Sequence, residues 1–137
     1  MPTGSSANEE NVRAILKKMN SGIPFCFDYD DFNSQHSIES MKVALKAWVD
    51  VFCDKLSEEQ LTAALWVIHS IDDQQFIVNG KNHHAKGTLF SGWRLTSFIN
   101  TVLNYAYLSQ CGLSDNTLYS VHNGDDVFAD CYSVENI

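Results

Sequence analysis

An Asn-Gly pair at residues 123–124 is the feature that most constrains how this chain can fold. Strand-forming residues flank it on both sides, at 118–121 and at 127–129, and this pattern predicts a β-hairpin. Two carboxylates, Asp125 and Asp126, follow the pair directly. We expect the turn to hold them at the end of a sheet, within reach of a hard cation. Because Asp and Gly are common in solvated turns, this interpretation depends on a partner upstream.

The composition indicates a folded globular chain. Its 137 residues, with 45% hydrophobic and 19% charged residues, fit one domain with one core. No apolar run reaches the length of about 18 residues that a membrane-spanning helix needs, so we expect no membrane partner. The first ten residues lack the basic start and apolar core of a signal peptide.

Four cysteines are widely spaced along the chain, at positions 26, 53, 111 and 131. They form no Cys-x-x-Cys pair, and three of them have apolar neighbours. This pattern predicts reduced, buried thiols rather than a zinc site or a disulfide framework.

The net charge of −8 limits nucleic-acid binding by this chain alone. Binding a phosphate backbone requires Lys and Arg side chains that displace counterions, and the nine basic residues here are scattered. Any nucleic-acid function would therefore require a positively charged channel formed by residues outside this chain.

Hydrophobic periodicity predicts an α+β fold, with helices against one face of a small antiparallel sheet. Asn8 is the expected N-cap of the first helix, and Ser57 with Gln60 has the capping-box pattern. We expect residues 81–86 to be a polar loop. The predicted helices are 8–20, 37–55, 57 to about 71, and 92–110, and the predicted strands are 23–27, 75–78 and the two arms of the hairpin.

Asp28 is the upstream partner that the hairpin needs. It follows the predicted strand 23–27, which we expect to be buried, so Asp28 and Asp125 meet at one sheet edge if the two strands are neighbours. Such like charges are costly without a cation, and Mg²⁺ prefers carboxylate and water oxygens. Two such ions about 3.5–4 Å apart promote phosphoryl transfer. The pattern therefore favours a two-metal nucleotidyl transferase.

A third polar element precedes and enters the predicted helix 92–110. Ser91 and Gly92 form a flexible break, while Thr96 and Asn100 are four residues apart and share one helix face. Polar groups on an otherwise apolar helix need a partner. Alternatively, Ser91 caps the helix and Thr96 bonds its own backbone.

Together the three elements resemble the palm subdomain of viral RNA-dependent RNA polymerases. The sequences of these elements are most similar to those of totivirus-type polymerases of double-stranded RNA viruses, and the resemblance covers roughly residues 23–130. Motif A matches Phe-Asp-Tyr-Asp-Asp-Phe-Asn at 27–33, motif B matches Ser-Gly at 91–92 with Thr96 and Asn100, and motif C matches Gly-Asp-Asp at 124–126.

The resemblance implies a catalytic metal site. Asp28 and Asp125 correspond to the main ligands of two Mg²⁺ or Mn²⁺ ions, and Asp126 assists them. Asp30 and Asp31 are additional carboxylates, which we interpret as solvated or as helping to attract cations.

The resemblance also implies nucleotide-binding residues. Asn33 replaces the second motif A Asp of the family, so it is expected to hydrogen-bond a ribose rather than bind metal as an anion. Asn100 matches the residue that senses the 2′-hydroxyl. Ser91 and Gly92 match the mobile loop beside the nascent pair, and Thr96 supports that loop.

By this resemblance, residues 1–137 are a partial palm subdomain containing motifs A to C, without fingers or thumb. The implied activity is RNA-directed RNA polymerisation for viral replication and transcription, in the virion interior or the host cytoplasm. The implied partners are RNA template, nascent RNA, ribonucleoside triphosphates, the fingers and thumb of the parent polymerase, and the viral capsid. We expect the isolated chain to be inactive, and His122 and Asn123 to support the hairpin.

Three alternatives remain open. A reverse transcriptase has a similar palm but excludes the 2′-hydroxyl with a bulky residue, whereas Asn33 suits ribose. A non-catalytic calcium-binding module is possible because Asp28, Asp30 and Glu39 occupy EF-hand positions 1, 3 and 12. Against it, Phe32 stands where an oxygen ligand belongs and a predicted strand precedes Asp28. The third is a palm-like domain without activity.

Overall fold

The computed structural model describes residues 8–19 and 21–133, and the chain divides into two compact units. The first unit combines both ends of the chain, Met1–Asp30 and Asn100–Ile137. The second unit is the intervening segment, Asp31–Ile99. Each unit contains helices and one small antiparallel sheet, which confirms the predicted α+β class.

The first unit is built on a three-stranded antiparallel sheet. Its strands are β1 (Ile23–Phe27), β4 (Thr117–Asn123) and β5 (Asp126–Cys131), in the order β1-β5-β4. The register of β1 against β5 runs from Ile23 opposite Cys131 to Phe27 opposite Val127. The strand at 23–27 and the hairpin are therefore confirmed, and the two predicted strands are direct neighbours.

The hairpin turn lies one residue later than the Asn-Gly signal indicates. Asn123 pairs with Asp126, so the two central residues are Gly124 and Asp125. Gly124 has a φ of 66°, whereas Asp125 is not among the described residues with positive φ. Glycine at the first central position, as the residue with positive φ, is typical of a type II′ turn. Asp125 therefore belongs to the turn itself, and Asp126 begins β5.

Asp130 fixes the far end of the sheet. Its side chain is 1% exposed, and its carboxylate accepts hydrogen bonds from the backbone N–H groups of Ser21 (3.1 Å) and Gly22 (2.9 Å). A Cβ atom at Gly22 would lie 2.5 Å from the carbonyl oxygen of Cys131 and 2.8 Å from Asp130 Oδ1. Only glycine fits here without a shift of the backbone.

The helices of the first unit begin with α1 (Glu9–Lys18), which Asn8 caps by accepting a bond from the N–H of Asn11 at 2.9 Å. The short helix α5 (Leu113–Asn116), which was not predicted, follows Gly112. The buried cluster of this unit has Phe25 and Tyr29 packed against it and consists of Leu108, Leu113, Val127, Ala129 and Cys131.

The predicted helix 92–110 forms as α4 (Thr96–Gln110), which begins four residues later than expected. Gly92 has a φ of 82°, a left-handed conformation that an α-helix cannot contain, so the chain turns before the helix starts. The helix ends where expected, since Gly112 follows with a φ of 84°. Its largely apolar sequence also predicts burial on most sides, which is confirmed, because only Ser97, Tyr105 and Gln110 of its fifteen residues are exposed.

Two capped helices dominate the second unit. Ser37 caps α2 (Ile38–Phe52), and Ser57 with Gln60 forms the predicted capping box of α3 (Glu58–Ser70), with bonds of 3.0 and 3.2 Å. The two helices pack against each other. Their buried apolar residues are Met41, Ala44, Leu45, Val49 and Ile68.

The second unit also contains a hairpin that the sequence analysis missed. Strand β2 (Gln75–Val78) was predicted, but the expected polar loop at 81–86 is wrong, because β3 (Lys81–His84) pairs with β2. Asn79 and Gly80 both have positive φ, at 50° and 74°, as a type I′ turn requires. The turn residues therefore favour the pairing of β3 with β2, although β3 lacks the alternation of apolar and polar residues that is typical of a strand.

Several residues expected to be buried are exposed. Strand β1 was predicted to be a buried strand, but only Phe25 is partly covered because β1 is an edge strand with a single neighbour. Cys26, Cys53 and Cys111 are exposed free thiols, so the expectation of buried thiols holds for Cys131 alone.

None of the helices in the described part of the chain is long and apolar enough to traverse a bilayer.

Replacing Asp130 with alanine removes the acceptor of two backbone N–H groups, and we expect this to lower the free energy of unfolding by about 1–3 kcal/mol. The matched control is Asp115→Ala, because Asp115 is an exposed aspartate of the same unit. That control is expected to change stability by less than about 0.5 kcal/mol. Urea denaturation of the 137-residue chain measures both, and equal losses would contradict the role given to Asp130.

Candidate active site

Strand pairing brings the predicted metal ligands to one end of the three-stranded sheet. The last registered pair of β1 and β5 is Phe27 with Val127. Asp28 and Asp126 therefore occupy the next position along each strand, side by side in sequence register. Asp125 adjoins them in the turn. The three carboxylates come from the two chain segments that the sequence analysis paired.

These carboxylates are available to a ligand. Asp28 and Asp126 are exposed and Asp125 is half-buried. Within the described residues, none of the three carboxylates takes part in a hydrogen bond or an ion pair. Their charge is therefore not neutralised by a neighbouring cationic side chain of the described chain.

The donor set suits a hard divalent cation that retains other ligands. Across residues 8–19 and 21–133, no group of three or more His, Cys, Asp or Glu side chains could hold a metal ion by itself. Mg²⁺ usually binds through one or two carboxylates, with waters and substrate phosphates completing an octahedron of oxygens. The adjacent positions of Asp28 and Asp126, with Asp125 beside them, fit this kind of site.

The turn is bonded to α4 through two side chains that the sequence analysis did not single out. Thr101 Oγ1 accepts a hydrogen bond from the N–H of Gly124 at 2.8 Å. Asn104 Nδ2 donates to the carbonyl oxygens of Gly124, Asp125 and Asp126 at 3.2, 2.9 and 3.1 Å. The sequence does contain a signal for Asn104. It is a second asparagine four residues after Asn100 on an apolar helix, where a polar group needs a hydrogen-bond partner.

In the second unit, the loop at Ser91 and Gly92 lies between two bonded positions. The carbonyl oxygen of Asn33 accepts bonds from the N–H of Leu89 (2.9 Å) and from Thr88 Oγ1 (3.3 Å). On the other side, Thr96 Oγ1 donates to the carbonyl oxygen of Phe90 at 2.8 Å. Asn33, the loop and Thr96 are thus brought together within this unit.

The alternative interpretation of this loop is not supported. Ser91 does not cap α4, because the helix begins five residues later at Thr96. The Thr96 hydroxyl bonds a carbonyl that lies outside the helix rather than the preceding helical turn. Ser91 and Gly92 are both exposed, and a Cβ at Gly92 would meet no atom within 4 Å.

Asn100 lies on α4 in the first unit and is 5% exposed. The candidate residues therefore fall into two sets. The first unit contains Asp28, Asn100, Asp125 and Asp126, whereas the second contains Asn33, Ser91, Gly92 and Thr96.

His122 is a buried titratable group on β4. It is 8% exposed, its Nε2 lies 3.2 Å from Ser120 Oγ, and its ring packs edge-on against Tyr105. Burial lowers the pKa of His122 below its ordinary value of 6.5. His122 pairs with Val127 across the hairpin.

Sequence comparisons identify the family. The model of the viral RNA-directed RNA-polymerase family matches residues 2–137. The chain belongs to this family. It is 50% identical over 133 residues to a probable RNA-directed RNA polymerase of Saccharomyces cerevisiae virus L-BC, and 46% identical over 131 residues to that of virus L-A. The similarity to totivirus-type viral polymerases is therefore confirmed.

The viral polymerase relatives are much longer than this chain. The matches cover 94% and 92% of the chain but 9% of each yeast-virus protein. A third relative, from Leishmania RNA virus 1, is 40% identical over 78% of the chain and 12% of that protein. The chain thus spans about a tenth of the polymerases it matches. No solved structure matches it significantly.

The buried imidazole of His122 predicts a loss of stability in mild acid. The folded state resists protonation of His122, whereas the unfolded state accepts a proton near the ordinary pKa of 6.5. Below that pH the unfolded state binds more protons, so the free energy of unfolding falls as the pH falls. We expect a fall between about pH 7.5 and about pH 5.5 that is smaller in His122→Gln.

Urea denaturation across this pH range measures the effect. The matched control is His69→Gln, because His69 is an exposed histidine on α3 and its replacement is expected to retain the wild-type slope. Identical pH dependence in wild type and His122→Gln would contradict the prediction.

Proposed function

We propose that the viral polymerase containing this chain joins ribonucleotides to a growing RNA strand, on an RNA template, by two-metal nucleotidyl transfer. The observation that carries this proposal is the pairing of β1 with β5, which sets Asp28 beside Asp126 and the Asp125 turn. Family membership supplies the class of reaction. In this proposal residues 1–137 are part of the palm subdomain.

In the proposed site, Asp28 and Asp125 are the main ligands and Asp126 assists them. Two Mg²⁺ or Mn²⁺ ions, when bound, would activate the attacking 3′-hydroxyl and stabilise the leaving pyrophosphate. The three carboxylates supply negatively charged oxygens at a sheet end exposed to solvent. Because no side chain of the described residues competes for them, they are available to bind the ions.

Five further residues are proposed to bind the nucleotide. Asn33 and Asn100 would hydrogen-bond the ribose, while Ser91 and Gly92 form a mobile loop beside the nascent pair. Thr96 supports the loop, and its bond to the carbonyl of Phe90 supports that role. The positive φ of Gly92 and the open space around it allow the loop backbone to approach a ligand closely.

The activity is proposed for the whole polymerase and not for this chain alone. The chain spans about a tenth of its relatives and carries a net charge of −8, so residues outside it must bind the RNA phosphates. The proposed partners are template and nascent RNA, ribonucleoside triphosphates, the fingers and thumb of the polymerase, and the viral capsid. The proposed location is the virion interior or the host cytoplasm.

The sequence alternatives have less support. Membership of the RNA-directed polymerase family favours RNA over DNA synthesis and an active enzyme over an inactive palm. A calcium-binding EF-hand begins with a helix before its first ligand, whereas strand β1 precedes Asp28.

Replacing Asp125 with asparagine in the full-length polymerase tests the metal site. The substitution keeps the size of the side chain but removes the charge. We expect nucleotide incorporation to fall by at least about two orders of magnitude, because bound metal contributes several kcal/mol to catalysis. Primer extension measures the activity, circular dichroism checks the fold, and Asp115→Asn is the matched control. An active Asp125→Asn enzyme would refute the assignment.

Replacing Asn100 with alanine tests sugar selection. A site that bonds a hydroxyl rejects the analogue lacking it, and one lost bond corresponds to roughly 1–3 kcal/mol. We therefore expect the preference for ribonucleotides over deoxyribonucleotides to fall by about one to two orders of magnitude. Competition between the two nucleotide types in single-turnover incorporation measures this ratio.

The control for sugar selection is Asn116→Ala, since the Asn116 side chain bonds the backbone carbonyl of Gly112. That variant is expected to leave the ratio unchanged. If Asn100→Ala also leaves it unchanged, the near-complete burial of Asn100 marks it as a structural residue of α4.

A further inference from the structure

The turn that carries Asp125 is bonded to α4 at four consecutive peptide groups. Thr101 Oγ1 accepts the N–H of Gly124 at 2.8 Å, which belongs to the peptide group joining residues 123 and 124. Asn104 Nδ2 donates to the carbonyl oxygens of Gly124, Asp125 and Asp126 at 3.2, 2.9 and 3.1 Å. These three oxygens belong to the next three peptide groups, and the two hydrogens of the NH₂ group are shared among them.

These bonds fix the backbone on both sides of Asp125. Each peptide group is planar, so a hydrogen bond to each of two successive groups restricts the φ and ψ of the residue between them. Type I′ and type II′ turns differ in the orientation of their central peptide group. Here that group joins Gly124 to Asp125, and its oxygen is bonded to Asn104. The direction of the Cα–Cβ bond of Asp125 is therefore set by α4.

The orientation of the Asn104 amide is determined by its neighbours. All three atoms facing Nδ2 are carbonyl oxygens, so the donating NH₂ group and not the oxygen must face them. Asn104 is 0% exposed, and within the described part of the chain its Oδ1 has no hydrogen-bond partner. A buried acceptor without a partner is unfavourable. The hydrogen bonds of its NH₂ group therefore offset the cost of burying this side chain.

We propose that Asn104 is a positioning residue of the active site and that Thr101 assists it. By holding the peptide groups around Asp125, they orient its carboxylate before a divalent cation binds. A ligand held in its productive direction avoids reorganisation when the ion arrives. This inference rests on the proposed function, because it assumes that Asp125 binds metal.

Two pairs of variants separate positioning from simple structural support. Asn104→Leu removes both donors and keeps the branching at Cγ, and Asn104→Asp places an oxygen against the three carbonyl oxygens. Thr101→Val is isosteric but lacks the hydroxyl, whereas Thr101→Ser keeps the acceptor for Gly124. The Thr101 pair changes the bond to the N–H of Gly124 and leaves Asn104 intact, so it provides the test if a change at Asn104 prevents folding.

The first experiment measures metal binding without any activity. The isotope-labelled 137-residue chain is titrated with Mn²⁺ alone, and paramagnetic broadening of the amide signals of Asp28, Asp125 and Asp126 is followed by NMR. We expect Asn104→Leu, Asn104→Asp and Thr101→Val to need about tenfold more Mn²⁺ than wild type, as is typical when a group that orients a metal ligand is lost. Thr101→Ser is expected to restore broadening close to the wild-type concentration.

Several results would overturn the inference. Folded variants with the wild-type Mn²⁺ dependence would show that Asn104 and Thr101 do not orient the carboxylate of Asp125. Absence of broadening in the wild-type chain would do the same, because a preoriented site must bind the ion. If Thr101→Val unfolds while Thr101→Ser folds, the hydroxyl serves stability rather than positioning.

The second experiment uses the full-length polymerase and distinguishes this inference from the proposed function. We expect Asn104→Leu to raise the Mg²⁺ concentration for half-maximal incorporation about tenfold. An active Asp125→Asn enzyme would refute the proposed function itself. An inactive Asp125→Asn enzyme, together with an Asn104→Leu enzyme of unchanged Mg²⁺ dependence, would refute only the positioning role.

Discussion

The antiparallel pairing of β5 with both β1 and β4 is the constraint on which the first unit depends. A slip of one residue in this register would move Asp28 away from Asp126 and turn the side chains of the strand to the opposite face. Side-chain bonds hold β5 at both ends. Asp130 binds the backbone that enters β1, and Asn104 binds the carbonyl oxygen of Asp126. The position of the carboxylates thus follows from hydrogen bonds far apart in sequence.

These polar contacts matter because apolar packing covers the central strand β5 but leaves β1 largely exposed. Strand β1 is an exposed edge, and apolar burial on β5 is confined to Val127, Ala129 and Cys131. Apolar contact alone tolerates several arrangements of small side chains, whereas a hydrogen-bonded carboxylate or amide accepts only one geometry. Asp130 and Asn104 therefore specify the register, and the apolar residues supply the driving force.

Local signals predicted the elements, and long-range contacts account for what was missed. The hairpin, the capping box at Ser57 and the Asn8 cap depend on neighbouring residues, so the sequence contained them. An Asn-Gly pair also stands at residues 79–80, but the polar residues that follow it led to the prediction of a loop in place of β3. The partners of Asn104 and Asp130 could not be assigned because they are backbone groups of distant residues, which no residue type marks in the sequence. Hydrophobicity also overestimated burial at β1, which has only one neighbouring strand.

The geometry of the turn and the charge of the chain impose different demands on the proposed site. The backbone around Asp125 is fixed, while the carboxylates have no cationic partner among the described side chains. A fixed cluster of negative charge repels phosphate until cations neutralise it. Two divalent ions would bring the net charge of −8 to about −4, which still opposes RNA binding. In the proposed enzyme, this chain therefore supplies the metal ligands, and the phosphate-binding cations come from the rest of the polymerase.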